Sequence, residues 1–215
     1  MIHTEIKSQI ASLLLSIDAV VLSPDAPFTW SSGLNSPIYC DNRLTLSFPE
    51  VRQAIADGMV AYIKANFPEA DVIAGTATAG IPHAAWVSER LNLPMAYVRG
   101  SAKSHGKKKR IEGLVKPGQK VVIVEDLIST GGSVLSAAEA IREEGAEVLG
   151  AVAIFTYGLE AATVNFKEAD VPFVTLTDFP ELIEQAKASG SVTESQLEKL
   201  RNWHADPKSE AWLKK

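Results

Sequence analysis

Apolar residues recur every three or four positions across residues 4–18 (Ile6, Ile10, Leu13, Leu14 and Ile17), a spacing that predicts an amphipathic helix. Residues 20–42 keep no such period. They are rich in Pro, Ser, Gly and aromatics and predict short strands and turns. Helical spacing returns at Phe48 and runs to about Phe67, with Pro49 in the first turn, where a missing N–H costs least. From Asp71 onward short apolar runs alternate with helical patterns. Strands are predicted at 71–75, 95–98, 120–125, 148–155 and 173–176, and helices at 81–92, 131–144, 180–188 and 193–203. Gly145 suits the end of one helix, and Thr193-Glu194-Ser195-Gln196 forms a capping box at the start of the last.

Strands that are apolar throughout and alternate with helices belong to a parallel sheet covered on both faces. The expected fold is therefore α/β, with a mostly parallel five-stranded sheet and flanking helices. The first 45 residues fall outside the alternation and are assigned to an N-terminal helix and small hood subdomain. Residues 46–180 form the core and 181–215 a C-terminal helical extension. Sheets of this kind bind ligands beyond the C-terminal ends of their strands. The loops leaving those ends are 76–80, 99–112 and 126–132.

Composition narrows the ligand. The 215 residues are 46% hydrophobic and carry a net charge of -5, which argues against nucleic acid binding through the general surface. Lys103, Lys107, Lys108, Lys109 and Arg110 cluster against that acidic background; charge alone favours a solvated basic loop, with a site for a small anion as the alternative. The segment Ala11 to Leu22 is too short to span a bilayer and is broken by Ser16 and Asp18, so no membrane association is expected. A single cysteine, Cys40, rules out an internal disulfide; together with an N-terminus lacking signal-peptide character it predicts a cytoplasmic protein with a half-buried, unreactive thiol.

The segment Val121-Val122-Ile123-Val124-Glu125-Asp126-Leu127-Ile128-Ser129-Thr130-Gly131-Gly132-Ser133 carries the strongest chemistry. A buried strand brings two acids to the sheet edge, and a hydroxyl-Gly-Gly turn then opens a helix. Backbone N–H groups and hydroxyls at a helix N-terminus hold a phosphate dianion. The acids suit ribose hydroxyls, or a metal through water. One ligand satisfies both halves, a ribose 5-phosphate. The segment lacks the Lys of a Walker A loop and the spacing of a dinucleotide fingerprint.

This segment resembles the phosphoribosyl pyrophosphate (PRPP) motif of type I phosphoribosyltransferases. The resemblance implies that Glu125 and Asp126 meet the ribose hydroxyls, that the turn Ser129, Thr130, Gly131, Gly132 and Ser133 holds the 5-phosphate, and that Leu127 and Ile128 also belong to the PRPP site. Tyr97-Val98-Arg99, Lys103, His105-Gly106 and Ile111-Glu112-Gly113 look like the catalytic loop of the orotate phosphoribosyltransferase family. That likeness implies PRPP contacts from Arg99, Lys103 and His105, with Lys103 and His105 as the catalytic pair. It also implies a homodimer in which the loop acts in trans. Phe28-Thr29-Trp30-Ser31-Ser32-Gly33-Leu34-Asn35-Ser36-Pro37 resembles the family's hood, which forms part of the orotate pocket, and Gly75 to Pro82 resembles its pyrophosphate loop. Ser129 is the expected orotate contact. Many members carry Lys at the positions of Ser31 and Gly100; Arg43 is the candidate substitute for the first.

The implied reaction transfers the 5-phosphoribosyl group from PRPP to orotate, in pyrimidine biosynthesis. Mg²⁺ is expected as a cofactor that PRPP carries, not as an ion in a protein cage. Two alternatives stand beside it: a purine phosphoribosyltransferase, which would lack the hood, and a non-catalytic PRPP-sensing regulator, which would need a nucleic-acid-binding face. His83 is expected to be packed inside a helix, Trp203 and Trp212 to anchor the tail, and Asp178 and Tyr157 to be open to a pocket role.

Overall fold

A computed structural model describes residues 2–30, 33–100 and 110–214. At its centre is a six-stranded sheet in the order β10-β9-β8-β5-β6-β7. Five strands are parallel: β5 (Val72–Thr76), β6 (Met95–Val98), β8 (Lys120–Ile128), β9 (Glu147–Thr156) and β10 (Phe173–Asp178). These are the five expected from the sequence. The sixth, β7 (Ile111–Glu112), pairs antiparallel with β6. Two residues are too short to show a period, so the pattern could not separate this strand from the loop before it.

The alternation along each strand explains the two cores. Ile73, Val122, Val124, Val152, Ile154 and Leu176 pack on one face with α1 (Ile2–Ser16), α2 (Pro49–Asn66), α3 (Gly80–Leu91), α6 (Phe179–Ala188) and α7 (Glu194–Ala205). Val72, Ala74, Val121, Ile123, Ala151 and Ala153 pack on the other with α4 (Gly132–Glu143) and α5 (Glu160–Glu168). Successive residues of a strand point to opposite faces, so a run apolar at every position needs helices on both sides. The second face is rich in alanine, which brings α4 close to the sheet. Helix α5 did not stand out in the sequence: it is nine residues long and buries only Ala162 and Phe166.

The hood consists of two short antiparallel pairs, β1 (Val20–Leu22) with β4 (Ile38–Cys40) and β2 (Phe28–Thr29) with β3 (Asn35–Ser36). A 3-10 turn, Asn42–Ser47, leads from it into α2. The C-terminal helices are built against this hood. Thr193 and Gln196 form the expected capping box, and Gln196 and Lys199 both reach Asp25 at 2.7 Å. Trp203 and Trp212 are buried, as an anchored tail requires. Trp203 sits edge-on to Trp30 at 5.8 Å and to Tyr157 at 6.4 Å, and lies 5.2 Å from Phe179. One side chain thus joins the hood, the end of β9, α6 and α7.

Burying an indole in such a cluster stabilises the fold through dispersion and exclusion of water, and truncating it leaves a cavity. A Trp203→Ala variant is expected to lose about 3–5 kcal/mol of unfolding free energy, read from urea denaturation followed by circular dichroism. A loss below about 1 kcal/mol would show that the tail does not hold the hood in place.

Candidate active site

The structure extends the third parallel strand beyond its sequence-predicted end. β8 continues through Glu125, Asp126 and Leu127 to Ile128, pairing with β9 up to Ile128 opposite Thr156. Both acids therefore lie within the strand, and their carboxyls stand close enough to interact, Glu125 being the deeper of the two.

Their environments differ accordingly. Glu125 is buried, and its Oε1 accepts the Asp126 N–H at 2.9 Å. Burial first, and the neighbouring Asp126 second, push its carboxyl up to about 8. Burial thus favours the protonated form of Glu125, which offers a hydroxyl donor as well as an acceptor. Asp126 is half-buried, and its carbonyl accepts the Asn42 Nδ2–H at 2.8 Å.

Beyond Ile128 the chain turns at Ser129 and Thr130 into α4. Gly131 takes the helix N-cap in a left-handed conformation with φ of 89°. A Cβ there would meet Phe166 Cε2 at 2.3 Å, so glycine is required both by the backbone angle and by the ring beneath it. Asn165 donates to the Thr130 carbonyl at 2.9 Å, and Thr156 donates to the Ile128 carbonyl at 2.9 Å. These three supports, Phe166, Asn165 and Thr156, lie on α5 and β9. The sequence reading missed them because nothing local marks a side chain that braces a distant turn.

A cavity of about 190 Å³ is lined by Glu125, Leu127, Ser129, Thr130, Gly131, Gly132, Ser133 and Val134. It gathers most of the predicted 5-phosphate residues; Ile128 is buried beneath them as packing. The first N–H groups of α4 open here and favour an anion. A second cavity, of about 230 Å³, shares Gly132 and Ser133 and adds Thr76, Ala77, Val98, Arg99, Gly100, Arg110, Ser136 and Ala137. Gly80 ends the adjoining loop against β8: a Cβ on it would meet the Thr76 hydroxyl and the Val124 carbonyl, each at 2.5 Å. The Ala77–Thr78 peptide in this loop is cis.

Arg99 and Arg110 face each other across the base of the loop. The Arg99 N–H donates to the Arg110 carbonyl at 2.9 Å, and Arg110 Nε returns a bond to the Arg99 carbonyl at 3.1 Å. The Arg110 guanidinium also donates to the Ser136 carbonyl at 3.0 Å and to Ser136 Oγ at 2.9 Å. In the sequence Arg110 counted only as one charge of a basic run; its lining of the second cavity depends on how the strands pair. Lys103 and His105, the expected catalytic pair, lie outside the described residues, as do Ser31, Lys107, Lys108 and Lys109.

Ser129, the expected orotate contact, lines a further cavity of about 530 Å³ with Thr130, Trp30 and Leu34 of the hood, Leu159 to Ala161, and His204 to Lys208. Tyr157 and Asp178 take structural roles. Tyr157 is buried 5.1 Å from Trp30, and Asp178 caps α6 through the Glu181 N–H and pairs with Lys7 at 2.6 Å. His83 is packed as expected: it is buried edge-on to Trp86, and desolvation pulls it down to about 4. Cys40 is half-buried, and desolvation raises its thiol far above the usual range, which leaves it inert.

Two adjoining cavities thus meet at one helix N-terminus, next to an acid pair at the end of a central parallel strand. Residues 47–185 match the family model described as phosphoribosyl transferase domain. The chain belongs, more narrowly, to the orotate phosphoribosyltransferase family. It is 60% identical over 206 residues to the orotate phosphoribosyltransferase of Bacillus caldolyticus, covering 96% of this chain and 98% of that one. It is 56% identical over 210 residues to that of Bacillus subtilis (strain 168), covering 98% and 97%. The crystal structure of orotate phosphoribosyltransferase from Aeropyrum pernix is similar with a TM-score of 0.74 and 28% identity, over 86% of this chain and 99% of that one.

The raised Glu125 gives a pH signature with a definite sign. The folded protein holds a proton that the unfolded chain releases above about 4.5, so stability falls as pH rises towards 8. His83 acts in the opposite sense, but only below about 6.5. Between about pH 6.5 and 8 the wild type should therefore lose urea stability, and Glu125→Gln should lose measurably less. Equal pH slopes for the two proteins would mean that Glu125 does not carry the proton.

Proposed function

We infer that the protein transfers the 5-phosphoribosyl group of PRPP to orotate, forming orotidine 5′-phosphate and pyrophosphate for pyrimidine biosynthesis. The single observation that carries this reading is the pair of anion cavities meeting at Gly132 and Ser133. They suit a ligand with a phosphate at one end and a pyrophosphate at the other. The family's full-length relatives supply the base, and the purine alternative is not favoured.

In this reading the turn from Ser129 to Ser133 and the N-terminus of α4 bind the 5-phosphate. Glu125 and Asp126 hold the ribose hydroxyls. The bond between C1 and the pyrophosphate oxygen breaks with its electron pair going to the leaving group, an orotate ring nitrogen forms the new bond to C1 from the opposite face, and the proton that nitrogen carried passes to the departing pyrophosphate or to water. No protein nucleophile takes part; the protein contributes positioning and electrostatic stabilisation. Arg99 and Arg110 lie where pyrophosphate charge builds up. Lys103 and His105 complete the leaving-group site, with Lys103 as the principal catalytic group.

Mg²⁺ enters with PRPP and, when bound, neutralises pyrophosphate charge. Asp126, a half-buried carboxylate at the strand end, suits a hard cation held through water and is the residue that would face it. A homodimer with the 101–109 segment serving the neighbouring site completes the reading, together with a cytoplasmic location. The exposed apolar side chains of Leu44, Phe48 and Leu114 offer surface for a subunit contact. Among the described residues no helix is long and apolar enough to cross a membrane.

A turnover assay with PRPP, Mg²⁺ and orotate, uracil, adenine, guanine, hypoxanthine or xanthine, followed by pyrophosphate release, tests the reaction. Release with orotate alone is expected; release with a purine instead would overturn the assignment of the base. Lys103→Ala should lower kcat about a hundredfold or more, the scale for removing one transition-state charge stabiliser. A near-normal kcat would remove Lys103 from the chemistry.

A further inference from the structure

Orotate is a uracil ring bearing a carboxylate, so its pocket must accommodate a negative charge. The hood side of the strand end is poorly suited to that on its face: Asp41 stands there, and Asp126 lies within electrostatic range of it. Between Ala19 and Phe48 the sequence holds a single cation, Arg43. Its neighbour Asn42 is 1% exposed and is clamped to the Asp126 carbonyl at 2.8 Å, which fixes the position of the 3-10 turn against β8. Arg43 therefore stands beside the strand end, with Asp126 in electrostatic range.

The guanidinium is both oriented and open. Its Nε donates to Asp41 Oδ1 at 2.6 Å and its Nη2 to Asp41 Oδ2 at 2.7 Å, so one edge of the fork is held bidentately. The side chain stays 67% exposed. The edge formed by Nη1 and the second Nη2–H has no partner among the described residues. An arginine fork can serve one carboxylate on each edge, which a lysine cannot do with the same geometry. Arg43 already has one such carboxylate; its free edge has the shape to receive a second.

We propose that Arg43, oriented by Asp41, is the residue that recognises the carboxylate of orotate and so selects orotate over carboxylate-free pyrimidines. The proposal rests on the orotate reading above and adds the specificity determinant to it. Asp41 is a positioning residue: it holds the fork without touching the substrate. Asn42 positions it further, by tying the turn to β8.

The test is steady-state kinetics on Arg43→Gln, Arg43→Lys and the double variant D41N/R43Q, with orotate and PRPP varied separately. Arg43→Gln should raise KM for orotate about ten- to a hundredfold, the scale of one charge-assisted pair, and leave KM for PRPP within about twofold. Arg43→Lys should recover part of the loss, and D41N/R43Q should not recover it. A general misfolding defect would move both KM values and the thermal midpoint, and would overturn the proposal. So would an unchanged orotate KM. Full recovery in D41N/R43Q would overturn it too, because the harm would then come from an unpaired Asp41 and not from a lost cation. A wild-type protein that does not turn over orotate at all would instead overturn the reading on which the proposal rests.

Discussion

The site depends on how far β8 runs before it turns. The strand is buried on both faces from Val121 to Val124 and stays hydrogen-bonded to β9 as far as Ile128. The acid pair is thus carried on that ladder. Everything downstream inherits that register. Thr156 ties the last residue of β8 to β9, Asn165 holds the carbonyl of Thr130, and Phe166 fills the space that any side chain at residue 131 would need. Preorganisation of this kind lets a turn of small residues present its N–H groups to a phosphate without paying for order on binding.

Electrostatics divides the site into parts of different character. The α4 side joins a buried Glu125, whose carboxyl is raised, to the positive end of a helix and two arginines, a setting that favours an anion. The hood side keeps an ionic pair, Arg43 with Asp41.

The hood is held by the far end of the chain. Asp25 is tied to α7 by Gln196 and Lys199, Asn35 meets Glu210 at 3.3 Å, and Trp30 packs with Tyr157 and Trp203. Residues after 180 carry no motif, yet they form a wall of the cavity that contains Ser129. Their contribution is to fix the hood at a set distance from the phosphate turn, and distance between the base and C1 governs a reaction that relies on positioning.

The sequence by itself determined the class of fold, the parallel strands, the phosphate turn and the identity of the family. Each of these is written in local pattern: a period of residues, a hydroxyl-Gly-Gly turn after a buried strand, a hood motif. It also placed His83 and Cys40 correctly as packed residues, from their surroundings in the chain. Only the tertiary structure decided that Glu125 is buried, which raises its carboxyl, that Arg110 lines the cavity beside the turn, and that Asn165 and Phe166 brace that turn. Those facts arise from contacts between residues far apart in sequence, and from the loss of water that such contacts impose. Local pattern records what a segment prefers; burial and register depend on which other segments come to cover it.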